Sequence, residues 1–235
     1  MNKLTLPAGK NKCVTLSFDD QITQDYRLVE IINKYNLKCT FNLNSGTFGL
    51  TGEANVNGIS VSHNKISAKE AVELYKGHEV AVHTVNHPDL CKLSENEIIK
   101  EVKDDMKALS ELFGYDVCGM AYPYGTYNDE VVSILKNCGI KYSRTVVNSL
   151  SFNLPDDFLM WHSTMHFGDD GMMDIVDKFL NDNSSEPKLL YIWGHSYELE
   201  ANNTWDLFEE FCKKVSGRSD TVYATNMEVY NMANS

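Results

Sequence analysis

No run of this 235-residue sequence is long and apolar enough to span a membrane, and the N-terminal MNKLTLPAGKNK lacks the apolar stretch of a secretory leader. As written, the chain is expected to be soluble and cytoplasmic; a leader already removed would make it extracellular. Basic residues are scarce, with 21 Lys and Arg against 33 Asp and Glu and a net charge of −12. Phosphate backbones are bound by clustered Lys and Arg, so nucleic acid is set aside as a partner. No C-x-x-C pair occurs among the six cysteines, Cys13, Cys39, Cys91, Cys118, Cys138 and Cys212. That argues against a zinc ribbon or a dithiol redox motif and leaves buried thiols. Repeats, low-complexity tracts and linkers are missing too. At 43% hydrophobic residues the chain suffices for one substantial core, and a single domain over residues 1–235 is the simplest organisation.

What is present is alternation. The apolar run KCVTLSF is followed by a helical pattern over about residues 24–35 and then by the strand-like LKCTFNLN. The alternation continues through HEVAVHT, an amphipathic stretch from Ser94 to about Phe113, VCGMAYP, a helix near NDEVVSILKNCG, and IKYSRTV. After DFLMWHSTM come a helix near GMMDIVDKFLND, the strand KLLYIWGHS, a helix around TWDLFEEFCKKV and a last strand, TVYATN. Ser94 with Glu97 forms a capping-box signature, and Gly114 and Gly139 stand where helix C-caps belong. Apolar strands alternating with helices predict an α/β fold with a parallel sheet, either a barrel or a doubly wound sheet.

In a β/α barrel, functional residues collect at the C-terminal ends of the strands. Here those ends carry Asp19 and Asp20, His83 and His87, the YPYG tetrapeptide, Arg144, His166 and His195. Within one turn, residues four apart point the same way, so His83 and His87 are able to share one cation. Histidines at loop ends are also common without any ligand. Two carboxylates at one strand terminus call for a positive neighbour, although aspartate serves equally as a turn or N-cap residue. A metal shared with the histidines explains both, one carboxylate ligating and the other accepting a proton from bound water. His195 is either a strand-end histidine paired with Glu198 or a general acid, a task its near-neutral pKa suits. Gly194, before it, is expected to leave room for backbone or substrate.

LSFDDQ, HTVNH, YPYGTY and IWGHS occur in the order and at the approximate spacing of motifs in the polysaccharide deacetylase family, carbohydrate esterase family 4, which the chain resembles from about residue 13 to about 200. The resemblance implies a distorted (β/α) barrel of about seven strand-helix repeats. It implies Asp19 as catalytic base, Asp20, His83 and His87 as metal ligands, His195 as acid, and Tyr124 as a backbone N–H donor to the oxyanion. Tyr122, Pro123, Tyr124, His166 and Trp193 are the expected substrate contacts. The cofactor expected is one divalent metal, Zn²⁺ first, with Co²⁺, Ni²⁺ or Mn²⁺ as alternatives.

The sequence departs from the family pattern at three places. Ala121 stands where the family has an arginine, Gln21 follows the aspartates where glycine is usual, and SFNLPDDFLMWHS is only a loose counterpart of the tryptophan motif. Arg144, on the next strand round, either reaches Asp19 in place of the missing arginine or caps its strand at the surface. Trp161, Trp193 and Trp205 do not decide the substrate, because aromatic residues on strands and helices are more often core. The implied activity is metal-dependent removal of N-acetyl groups from an amino sugar in a glycan or oligosaccharide. The alternative is hydrolysis of a cyclic amide or ureide on the same fold without metal. The expected partner is a carbohydrate or small acetylated substrate; nothing in the sequence speaks to oligomeric state.

Overall fold

A computed structural model describes residues 3–235. In chain order the elements are β1 (Lys12–Asp19), α1 (Asp25–Lys34), β2 (Cys39–Leu43), β3 (Glu53–Val56), β4 (Ile59–Ser62), α2 (Ala68–Leu74), β5 (Glu79–Val82), α3 (Glu95–Phe113), β6 (Gly119–Ala121), α4 (Asp129–Cys138) and β7 (Tyr142–Asn148). They continue with β8 (Trp161–Ser163), β9 (Met165–His166), α5 (Met172–Asn181), β10 (Lys188–Gly194), α6 (Ser196–Ala201), α7 (Trp205–Val215), β11 (Thr221–Tyr223) and α8 (Asn226–Ala233). The expected helices and strands are found within a few residues of their predicted bounds. No helix among the described residues is long and apolar enough to cross a membrane.

The main sheet is parallel, in the order β8-β7-β6-β5-β2-β1-β10-β9. Its two ends are consecutive in the chain: β8 pairs with β7, β9 pairs with β10, and only Thr164 separates them. One segment, 161–166, thus bridges the two edges and curls the sheet into a distorted barrel. β10 pairs along one edge of β1 while β11 and β2 share the other, and every residue of β1 is buried because both faces are covered, Phe18 packing on Phe208 of α7 and Thr15 bonding Asn226 of α8. Even the polar Thr15, Ser17 and Asp19, which alternate with Val14, Leu16 and Phe18, are therefore shielded from solvent. Helices cover the outside with one apolar face each, as in α1, where Leu28, Val29, Ile31 and Ile32 are buried. Gly114 and Gly139 end α3 and α4 in left-handed conformations, at φ 77° and 95°.

The lower end of the barrel is plugged by α8. Its first N–H groups donate inward, Asn226 to Thr40 Oγ1 at 2.9 Å and Met227 to the buried Glu79 carboxylate at 2.9 Å. Tyr142 also donates to Glu79, at 2.6 Å. A carboxylate facing a helix N-terminus is favourably placed. The upper end, where the strands finish, remains open. Alternation of period did not disclose the segment between β2 and β5, which holds the antiparallel β3–β4 hairpin and α2. The short α6 and the terminal α8 were likewise not anticipated.

Candidate active site

Asp19 is the last residue of β1, and Asp20 and Gln21 follow it with φ of 85° and 41°. Both lie in the left-handed region, where glycine is cheapest. The conformation is held by the Gln21 side chain, whose amide nitrogen donates to Asn44 O and Thr47 Oγ1, each at 2.8 Å, while its oxygen accepts from Asn44 N at 2.9 Å. A glutamine therefore does with side-chain bonds what glycine does with conformational freedom. The turn brings both carboxylates into one cleft.

His83 and His87 come from the loop after β5. They do not share a helical turn, as their spacing suggests: Thr84 and His87 have φ of 68° and 57°. The loop folds on left-handed turns that nonetheless bring the imidazole centroids within 4.7 Å. It is held from several sides. Asn44 Nδ2 donates to the carbonyls of His83 and Thr84, and the buried Asp105 carboxylate accepts from His83 N at 3.1 Å and Ser45 N at 2.7 Å. Gly46 permits the contact of the two loops, since a Cβ there would lie 2.7 Å from Val85 O. By contrast, an added Cβ on Gly194 would meet nothing closer than 3.5 Å, an ordinary contact with Phe18.

One carboxylate oxygen of Asp20 and one ring nitrogen each of His83 and His87 lie within 4.8 Å of one another. The donor chemistry fits a divalent cation such as Zn²⁺. His83 Nδ1 bonds the Ala121 carbonyl at 2.8 Å, which leaves Nε2 as the free donor atom. Burial holds His83 down at about 4, overcoming the nearby aspartates, and lowers His87 as well, so both imidazoles are neutral. Asp20 is buried, which works against its charge, but the His63 hydrogen bond, Lys65 and further histidines hold it well below the usual carboxylate range.

Asp19 is gripped at both oxygens. Asn42 Nδ2 donates to Oδ1 at 2.8 Å, and the fully buried Arg144 guanidinium bonds Oδ2. Arg144 also stacks over the Trp193 ring at 4.1 Å. Burial alone would raise the Asp19 pKa; Arg144, His83 and His195 outweigh it and hold the group ionised. Asp19 Oδ2 lies 3.9 Å from His83 Nε2 and 3.8 Å from His195 Nε2. His195 responds oppositely. Burial disfavours its charge, but Glu198 Oε2, 3.3 Å from Nδ1, together with Asp19 and Asp20, carries its pKa up to about 9.

The cleft has a volume of about 540 Å³ and is lined by these groups with Tyr122, Tyr124, Trp193 and Tyr197. Tyr124 is 65% exposed at the rim and packs edge-on to His87. Two of the expected substrate contacts, Pro123 and His166, are not among the groups that line the cleft. Pro123 is buried at the start of the turn, outside the cleft lining. His166 lies behind Trp193 and bonds Glu198 at 2.9 Å, because β9 directs it toward α6 and away from the open end. Trp161 belongs to the lower core with Tyr142, Phe158 and Tyr191, so the loose tryptophan motif has no part in the cleft. Residues missed by the sequence reading include Asn42, Asn44 and Asp105, of which the two asparagines are polar strand-end residues like the others. His63 and Lys65 were also missed; they enter from the irregular segment beside the hairpin, where no period marks them.

A family profile described as polysaccharide deacetylase matches residues 7–143. Among curated proteins, the poly-β-1,6-N-acetyl-D-glucosamine N-deacetylase of Staphylococcus aureus is 31% identical over 142 residues, covering 56% of this chain and 47% of that protein. The peptidoglycan N-acetylglucosamine deacetylase PgdA of Listeria monocytogenes is 32% identical over 126 residues, 53% of this chain and 24% of its own. The chain thus spans half or less of the length of these relatives. Among solved structures, the Streptococcus pyogenes deacetylase PplD in complex with acetate aligns at TM-score 0.53 and 28% identity, covering 62% of this chain and 61% of that one. A mutant of the peptidoglycan deacetylase PdaC of Bacillus subtilis aligns at TM-score 0.57 over 97% of this chain and 94% of that one; at 18% identity it speaks to the fold alone.

Proposed function

The chain belongs to the polysaccharide deacetylase family, and on that premise we propose that it hydrolyses the N-acetyl group of an amino sugar in a glycan or oligosaccharide, using one divalent metal held by Asp20, His83 and His87. The observation that carries this reading is the pairing of Asp19 and His195 across 3.8 Å, beside the triad, with their proton affinities driven apart. At neutral pH one is an ionised carboxylate and the other an imidazolium, the base and acid that amide hydrolysis needs. A metal at the triad, with Zn²⁺ the first choice, would polarise the attacking water and the acetamide carbonyl.

The chain's own groups do the rest. Asp19 takes the proton of the attacking water, oriented by Asn42 and kept ionised by Arg144. The Tyr124 main-chain N–H meets the carbonyl oxygen as it gains charge, in the manner of an oxyanion hole. His195 gives its proton to the departing amine, and Glu198 keeps the imidazole charged until it does. Trp193 and Tyr122 wall the cleft. The relatives named above are deacetylases of glycans, which favours this reading over hydrolysis of a cyclic amide or ureide. The test is acetate release from a panel of N-acetylated oligosaccharides by the metal-loaded chain, with and without chelator. Release abolished by chelator and by Asp19→Asn supports the reading; no release from any member of the panel, or release indifferent to Asp19→Asn, defeats it.

A further inference from the structure

The segment that follows the β3–β4 hairpin runs antiparallel beside the turn after Asp20. Ile22 and Lys65 form a bridge, Thr23 N donates to Asn64 O at 2.8 Å, and Ile66 N donates to Gln21 O at 2.8 Å. This pairing fixes two basic side chains against the second aspartate. Lys65 Nζ donates to Asp20 main-chain O at 2.9 Å and sits 3.3 Å from Oδ1. His63 Nε2 lies 3.3 Å from Oδ2. The Lys65 side chain is only 10% exposed and that of Asp20 9%. Asp20 Oδ1 is also the oxygen 3.9 Å from His87 Nε2. The carboxylate oxygen on the ligand side is therefore the one an ammonium already holds.

We propose that Lys65 is a built-in counter-cation of the metal seat: it stabilises Asp20 while the seat is empty and weakens divalent metal binding, so that the metal is held exchangeably. This role rests on Asp20, His83 and His87 holding the metal, as proposed above. A cation entering the triad meets a partly desolvated positive charge on a shared oxygen, and at that separation in a protein interior the repulsion is far from negligible. Lys65 also competes for the lone pairs of Oδ1. Its tether to the main-chain oxygen of Asp20 keeps it close even when the carboxylate engages a metal.

Zn²⁺ titration of the chelator-stripped full chain, by calorimetry against a competing chelator, tests this together with thermal melting of the stripped protein. Lys65→Gln removes the charge and retains a shorter hydrogen-bond donor; Lys65→Met removes both charge and donor. The expected result is Zn²⁺ binding at least tenfold tighter in Lys65→Gln than in the unaltered chain. Both stripped variants should melt lower than the stripped unaltered chain, the gap closing when Zn²⁺ is added. His83→Ala, made alone and with Lys65→Gln, should lose tight binding. If His83→Ala loses binding while Lys65→Gln binds no tighter, the ligand set stands and the counter-cation role is overturned. If His83→Ala binds as tightly as the unaltered chain, the ligand set itself fails and the inference falls with it.

Discussion

Arg144 on β7 is the direct ladder partner of Ala121 on β6, and its guanidinium bonds the Asp19 carboxylate across the top of the barrel. The arginine that the family pattern has at the Ala121 position stands here at the same height, one strand to the side. The main-chain carbonyl of Ala121 accepts from His83 Nδ1 and so fixes its tautomer, a bond that does not depend on the side chain at that position.

Removal of that guanidinium should therefore be felt in proton transfer and not in metal content. Arg144→Ala is expected to lower kcat by about 10²-fold or more, the scale of a misplaced acid-base group, with bound metal unchanged by elemental analysis. Because the cation holds the Asp19 pKa down, its loss should move the acid limb of the pH–kcat profile to higher pH. An unshifted limb would mean that Asp19 is not the base.

Glu198 acts on the other side of the cleft. Its carboxylate accepts from the main-chain N–H of His195 at 3.2 Å and lies 3.3 Å from His195 Nδ1, helping to carry the imidazole to about 9. Glu198→Gln withdraws the negative charge, which disfavours the imidazolium, so the alkaline limb of kcat should fall by more than about one pH unit toward the ordinary histidine value. An NMR titration of His195 in the stripped protein reads the same shift without turnover.

Assembly and chemistry should separate by mutation. His83→Ala and Asp20→Ala are expected to lose the metal, whereas Asp19→Asn and His195→Ala should retain it and lose turnover by about 10²–10⁴-fold. Metal content and kcat measured on the same preparations decide between ligand and proton-transfer roles.

Asp25 offers a stability test away from the chemistry. It is wholly buried between α1 and α6, accepts from Tyr75 and Ser196 at 2.6 Å each, and burial raises its pKa to about 7 against 3.8 for the free side chain. Between those values the unfolded chain gives up a proton that the folded chain keeps, so this contribution is fully present below the unfolded pKa and is lost as pH rises to about 7. The difference in unfolding free energy between the unaltered chain and Asp25→Asn should fall by a few kcal/mol across that window and be level above it. Paired urea titrations at several pH values would show it, and a pH-independent difference would contradict it.

What the sequence by itself determined is whatever depends on local period and on strand polarity. Apolar runs alternating with amphipathic stretches define parallel strands and covering helices, and in such a fold the C-terminal strand ends share one face. That alone gathers Asp19, Asp20, His83, His87, Arg144 and His195 at one end of the barrel. Helix boundaries at Ser94, Gly114 and Gly139 were legible because caps are set by the chemistry of one or two residues. Lateral relations were not legible. Whether Arg144 points into the cleft or to solvent depends on the ladder register that sets it beside Ala121 and on the closure through residues 161–166. His166 sits at a strand end like the others, yet the packing of α6 turns it to Glu198, outside the groups that line the cleft. Lys65 and His63 reach Asp20 from an irregular segment whose course is fixed only by pairing with residues 21–23. Such contacts are made between elements distant in sequence, and only tertiary packing decides them.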